Sequence, residues 1–489
     1  MSKIIALSIV KNEEKNFLKD WLINTSQICD LHIIVDNGST DNTKEIIKEF
    51  PNTILFESDI DFKTNEHKLR GFAYECLKDY AKNNDWIFIL DADEFIYLKD
   101  FKEKKEEILN LPEKYNLLGC KLCDIWNKDT LEYRIDGFWS GWLDRFFRYE
   151  EEQPFSYIYR EGLHVSPLPN YIRDCLGRGL YQTNIRILHF PYSTEERRNI
   201  KYNFYKENIK TNNPIDIYHY KSIINEYITI PLEKYSNSKK LICSLIRNRG
   251  WMLPLFLKNF NPILKDDSFE YYFIINNSID DSEGILREWV EKNNVKCTIE
   301  IYNFEDECLG NHQWGELQLN HMSIMRNKHL KFARENKFDY MFSIDSDLLF
   351  NYEIFKHLIL SDKDIISPVF FASWSRDAID KPRSPNVWIR GDYEINQDFI
   401  MSLKSHRHLR KVGGLGAFTC ISKNAFNNES LSYDKIDNLP SFIKMEDRFF
   451  CIRARVLNYE LWASNYYDLL HIDNIYMLNN ILQGSKFIK

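Results

Sequence analysis

Two pairs of acids stand where a protein interior would least accept them. In DWIFILDADEF, residues 85 to 95, an apolar run ends on Asp91, Asp93 and Glu94; in DYMFSIDSDLLF, residues 339 to 350, another ends on Asp345 and Asp347. Carboxylates at positions i and i+2 of an extended chain point the same way, so each pair can reach one ligand or one hard cation. A cation held there would neutralise a diphosphate and make it a better leaving group. The bare Asp-x-Asp pattern is weak, because it also occurs at Asp59/Asp61 and Asp362/Asp364. What singles out the other two copies is the long apolar run before each and their matching place in a repeated order.

That order runs through both halves. LSIVKNE (7 to 13) is similar to CSLIRNR (243 to 249), aligning Lys11-Asn12 with Arg247-Asn248. IIVDNGSTDNT (33 to 43) is similar to FIINNSIDDS (273 to 282), which sets Asp36 against Asn276. A helical stretch with a basic residue follows in each, giving Arg70 and Arg326; then come the Asp pairs, 254 positions apart (345 minus 91), and two apolar runs that close on His189 and His471. Alternating strand and helix patterns indicate βαβ units and a mainly parallel sheet, an α/β class in which ligands sit beyond the carboxyl ends of the strands. The expected organisation is a first domain over 1–214, a helical linker over 215–238 and a second domain over 239–489.

Composition agrees with two domains and excludes some functions. The 489 residues exceed what one hydrophobic core usually serves. A net charge of -8 argues against a general nucleic-acid binder, which needs a basic surface. No apolar run approaches the ~18 residues of a membrane span, and the amino terminus is too briefly apolar for a secretory signal, so a cytoplasmic protein without an integral membrane segment is expected. Cys120 and Cys123 form one CxxC with no second pair or histidine partner, which reads as ordinary reduced cysteine.

SIVKNEE, VDNGSTDNT and LDADEF, in that order, resemble the nucleotide-sugar-binding half of glycosyltransferase family 2, whose fold is termed GT-A. The second half, through RNRGWMLPLFLKNF, NNSIDDSEGILREWV, FSIDSDLLF, VGGLGAFTCIS and MEDRFFCIRA, resembles the amino-terminal transferase domain of collagen β-galactosyltransferases and related Anp1-type enzymes. The resemblance implies tandem Rossmann-like GT-A domains. It implies that Asp93 and Asp347 bind a divalent metal through the donor diphosphate, with His189 and His471 as third ligands, a mixed oxygen and imidazole set suited to Mn²⁺ and tolerant of Mg²⁺. Asp91 and Asp345 would face the ribose or the metal; Asp36, and Asn276 in its place, would hold the base; Lys11, Asn12, Arg247 and Asn248 would line the nucleotide pocket, with Arg70 and Arg326 near the phosphates.

Inverting transfer needs a base opposite the leaving group. Glu446 and Asp447 in KMEDRFF supply an acidic pair in the second half, with Asp447 preferred; Asp144 in GWLDRFFR is the candidate in the first, with Glu161 behind it. Gly413, Gly414 and Gly416 would let backbone approach donor or acceptor closely. The reading is a bifunctional metal-dependent glycosyltransferase that moves sugars from nucleotide-sugar donors to a glycan or glycoprotein acceptor. The alternative is a single activity in the second domain beside a first domain that only binds nucleotide sugar or glycan.

Overall fold

The apolar runs become the buried strands of two sheets. The computed structural model describes the chain apart from residues 1, 136–138, 152, 154–166, 174–178, 209–216, 218–219, 306–314, 374–382, 390–393, 406–407, 441–444 and 483–489. It divides into two units, Met1–Leu232 and Glu233–Lys489.

In the first unit β1 (Ile4–Val10), β2 (Leu31–Asp36), β3 (Thr53–Glu57) and β4 (Trp86–Ile89) form a parallel core in the order 4-1-2-3. Strands covered on both faces must be apolar at nearly every position, and β4 is WIFI with every residue buried. Trp86 is fully enclosed, and its indole N–H donates to the Ile108 carbonyl at 3.1 Å. Strands of mixed direction extend the parallel core: β5 (Glu94–Ile96), β6 (Leu117–Asn127), β7 (Glu132–Arg134), β8 (Trp142–Arg148), β9 (Leu180–His189) and β10 (Thr229–Pro231). Of these, β8 lies antiparallel beside β4, and β6 beside β8. β9 runs parallel to β6 and antiparallel to β5.

The second unit repeats the core with β11 (Lys240–Ile246), β12 (Phe269–Ile275), β13 (Cys297–Ile301) and β14 (Tyr340–Ile344), all parallel in the order 14-11-12-13. The antiparallel strand Phe418–Ser422 then sits beside β14, where β8 sits beside β4 in the first unit. Alternate residues of β11 feed the two faces: Leu241 and Cys243 join one apolar cluster, Ile242 and Ile246 the other.

Both units place the strand after the acids against a strand that ends on histidine. β5 pairs with β9 so that Glu94 faces His189, and β15 (Leu348–Leu349) pairs with Leu470–His471 so that Leu348 faces His471. Within 215–238, Thr229–Pro231 adds to the first sheet as the edge partner of β7, and Lys234–Asn237 is a one-turn helix. Among the described residues no helix is long and apolar enough to cross a membrane.

Candidate functional site

The turn after the first strand is built twice with the same hydrogen bonds. Asn12 (φ 53°) and Asn248 (φ 51°) both take the left-handed conformation that asparagine tolerates better than most residues. The Asn12 N–H donates to Ser39 Oγ at 2.8 Å and that of Asn248 to Ser278 Oγ at 3.0 Å; each side-chain oxygen accepts from the backbone one residue beyond that serine, from Thr40 and Ile279, at 2.8 Å. One residue along, the Glu13 N–H donates to Thr43 Oγ1 and the Arg249 N–H to Ser282 Oγ.

These bonds correct one expected correspondence. Val10 lies opposite Asp36 across the parallel ladder, whereas Ile246 lies opposite Ile275. The Asn37 N–H donates to the Val10 carbonyl and the Asn276 N–H to that of Ile246, both at 2.9 Å. Asn276 is therefore the counterpart of Asn37, and Ile275 stands where Asp36 does. The neighbouring asparagines in NN and DN misled by one position, which the ladder register settles. Asp36 is buried, accepts from the Ser39 N–H at 2.9 Å through Oδ1, and keeps Oδ2 buried without a hydrogen-bond partner. Lys11 is exposed at the end of β1 and Arg247 half-buried at the end of β11.

Past the ends of β4 and β14 the acids meet the histidines. Asp93 Oδ1 lies 3.8 Å from His189 Nε2, and Asp347 Oδ1 lies 3.5 Å from His471 Nε2. The far ring nitrogen of each histidine is tied to another carboxylate: His189 Nδ1 to Asp124 Oδ1 at 2.7 Å, His471 Nδ1 to Asp473 Oδ1 at 2.8 Å. Since a carboxylate only accepts, this fixes Nδ1 as the donor and turns Nε2 toward the Asp-x-Asp acid. Both imidazoles are held above their ordinary pKa; burial opposes this, and Asp124 with Asp93, or Asp347 with Asp473, outweighs it. Asp124 is itself braced by reciprocal backbone bonds with Ser140, at 2.7 and 2.8 Å.

These donors suit a cation only in part. Two ligands about 2.1 Å from one ion stand roughly 3 Å apart when adjacent, so small movements would bring either Asp–His pair onto a shared ion. Asp347 Oδ1 is also buried without a hydrogen-bond partner. Among the described residues no cluster of three or more His, Cys, Asp or Glu could hold a metal. Each site thus offers two protein donors, and a ligand such as a diphosphate would have to supply the rest.

The first acid of each pair is held by arginine. Arg326, on the helix Glu316–Glu335, donates to Asp345 Oδ1 at 3.1 Å, to Glu446 Oε1 at 3.1 Å and to Ser343 Oγ at 2.8 Å. Burial, with repulsion from Asp347, still raises Asp345 above the usual carboxylate range. In the first unit the ion partner of Asp91 is Arg145 on β8, at 3.4 Å; Arg145 also pairs with Glu94, which is wholly buried. Burial pushes Glu94 to about 7, while Asp91, although burial opposes it, is held below its ordinary value by Arg145, Arg70 and His189. Arg70 pairs with Glu66 at 2.8 Å and lines a cavity with Ser8, Ile9, Ala73, Leu90 and Asp91.

Of the candidate bases, Asp447 opens the helix Glu446–Val456 beside Glu446. A Cβ on Gly416 would lie 2.6 Å from Asp447 Oδ2, and the Asp345 N–H donates to the next carbonyl, that of Ala417, at 2.8 Å. Gly416 thus lets this loop pass between the acid pair and Asp447. Gly414 packs its Cα against the Trp388 indole, where a Cβ would lie 2.1 Å from the ring, so its smallness serves that packing. Asp144 is half-buried, and burial raises it to about 6. A register slip between Leu118 and Gly119 leaves its neighbour Arg145 as the extra residue of a bulge, a device that re-aims side chains near sites. Glu161 lies outside the described residues.

Sequence reading missed Asp124, Asp473, Arg145, Glu13 and Arg249. Asp473 was findable, two residues after His471 in LLHIDN; Asp124 was not, since it arrives on β6 from 65 residues away.

Residues 27–128 match the sequence model of Glycosyl transferase family 2, and residues 237–378 match that of the Glycosyltransferase family 25, N-terminal domain. The chain is 28% identical over 136 residues to the uncharacterized glycosyltransferase MG060 homolog of Mycoplasma pneumoniae, a stretch covering 27% of this chain and 43% of that protein. The chain therefore spans less than half the length of that relative. Among solved structures, TarS 1–349 of S. aureus in complex with UDP-GlcNAc aligns with a TM-score of 0.30 at 14% identity, over 49% of this chain and 60% of that one. The mannosyltransferase PcManGT from Pyrobaculum calidifontis, in complex with GDP-Man and Mn2+, aligns at 0.29 and 12% identity, over 53% and 62%.

Proposed function

We propose that this chain, two units of glycosyltransferase-family sequence in tandem, transfers two sugars, each unit using its own nucleotide-sugar donor and passing the sugar with inversion to a glycan or glycoprotein acceptor. The observation that carries this reading is the doubled arrangement of an acid pair at a strand end, a histidine turned toward its second acid, and a carboxylate behind that histidine. Asp93 with His189, and Asp347 with His471, would hold Mn²⁺ or Mg²⁺; the bound cation would supply charge neutralisation at the donor diphosphate. Asp36 would take the base in the first unit through its unpartnered Oδ2. The second unit has Ile275 there and would have to read the base by other groups.

In the second unit Asp447 would accept the proton of the acceptor hydroxyl as its oxygen bonds to the anomeric carbon. The bond from that carbon to the diphosphate oxygen breaks on the opposite face, and the electron pair leaves with the nucleoside diphosphate. Arg326 would keep Asp345 and Glu446 in place around this reaction. In the first unit Asp144 would be the base.

The test is a panel of nucleotide-sugar donors offered to the Asp93→Ala and Asp347→Ala variants. Each should abolish a different transfer step and spare the other. If Asp93→Ala leaves every product unchanged, the two-activity reading fails. The reading would then contract to one transferase beside a binding unit, which the want of a described Glu446–Asp447 counterpart in the first unit favours.

A further inference from the structure

The two candidate cation sites carry opposite charge at one equivalent position of the turn after the first strand. Glu13 and Arg249 occupy equivalent positions, each donating its backbone N–H to the hydroxyl of Thr43 or Ser282 at 2.8 and 2.9 Å. Around them the turn is the same: Asp41 accepts from the Glu14 and Thr43 N–H groups as Asp280 accepts from those of Gly250 and Ser282. The side chains at this position carry opposite charge. The Arg249 guanidinium donates to Asp347 Oδ2 at 3.0 Å, and both side chains are largely shielded from solvent. Glu13 is instead steadied by the Asn16 side chain at 2.9 Å, and the nearby Asp93 carboxylate, after burial, helps raise it above its usual range.

We propose that Arg249 acts as a built-in competitor for the cation of the second unit, so that the chain binds divalent metal in two grades, tightly at Asp93/His189 and weakly at Asp347/His471. A buried carboxylate already paired with a guanidinium gains less from a metal ion, since the ion must displace that pair or bind beside a positive charge. At the first site the equivalent position holds the acid Glu13, so no guanidinium from this turn competes for Asp93. The diphosphate of an arriving donor offers Arg249 a bidentate alternative to Asp347. The second unit would therefore fill its cation site together with donor, and the first before it. This rests on the reading that each Asp–His pair holds a cation.

Mn²⁺ titration of the full chain without donor, followed by the electron paramagnetic resonance of free Mn²⁺, tests it directly. The wild-type chain should show a tighter site lost in Asp93→Ala and a weaker one lost in Asp347→Ala. Arg249→Gln should tighten the Asp347-dependent site by about tenfold or more, Arg249→Lys should leave it weak, and the reverse exchange Glu13→Arg should weaken the Asp93-dependent site. An Asp347-dependent site unchanged or weakened in Arg249→Gln, with circular dichroism unaltered, overturns the proposal while leaving the cation reading intact. Failure of Asp347→Ala to remove any bound Mn²⁺ overturns the cation reading itself, and the proposal with it.

Discussion

Single side chains in these sites act through protonation and contact distance. Burial raises Asp144 to about 6, so the carboxylate a base requires is present above that pH and lost below it. Turnover by the first unit should therefore fall about tenfold per pH unit below about 6, and Asp144→Asn should lower kcat by roughly 10²- to 10⁴-fold, both read from a pH–rate profile with saturating donor. Gly416 controls a distance instead. A methyl group there would meet Asp447 Oδ2 at 2.6 Å, well inside contact, so Gly416→Ala should displace that carboxylate and lower the second unit's kcat far more than the donor's KM. Steady-state kinetics of the variant check this, and an unchanged kcat would remove Asp447 from the role of base. The acids were legible in sequence because a carboxylate after an apolar strand is costly unless it faces a ligand. Their arginine partners were not: Arg326 and Asp345 are close in sequence, but Arg145 reaches Asp91 from 54 residues away, on a neighbouring strand.

At the level of elements, the turn after the first strand sets how the loop is presented. Asn12 and Asn248 each hold a left-handed backbone and accept an N–H from the facing loop at 2.8 Å. Replacing either by alanine removes a hydrogen bond worth about 1 kcal/mol and leaves a left-handed residue that costs about 1 to 2 kcal/mol more. Asn12→Ala should lower the thermal unfolding midpoint and weaken donor binding in the first unit; Asn12→Gly, free of the backbone strain, should lose less. Calorimetry and donor titration of the two variants side by side measure the difference. The strand repeat and the parallel core were readable from periodicity, because helix-covered strands must be apolar throughout. The strands β6 to β9, of mixed direction, were not, since their partners depend on long-range register that no local pattern encodes.

For the whole molecule, both units pair an Asp-x-Asp acid with a histidine, so on the proposed two-transfer reading both steps should depend on added cation. A chelator should abolish all donor turnover and Mn²⁺ should restore it; turnover that persists in chelator would remove the metal from both steps. By itself the sequence determined that the fold is written twice, which acids end the inner strands, and which histidines close the later ones. These are local facts, carried by apolar runs and the residues that interrupt them. Only the tertiary structure decided what each acid meets. It put Ile275 rather than Asn276 in the place that Asp36 holds in the first unit, brought Asp124 behind His189 and Asp473 behind His471, and turned the Arg249 guanidinium onto Asp347 where the first unit has Glu13 in the equivalent turn. Strand register and loop closure set those meetings, and both depend on contacts between residues far apart in the chain.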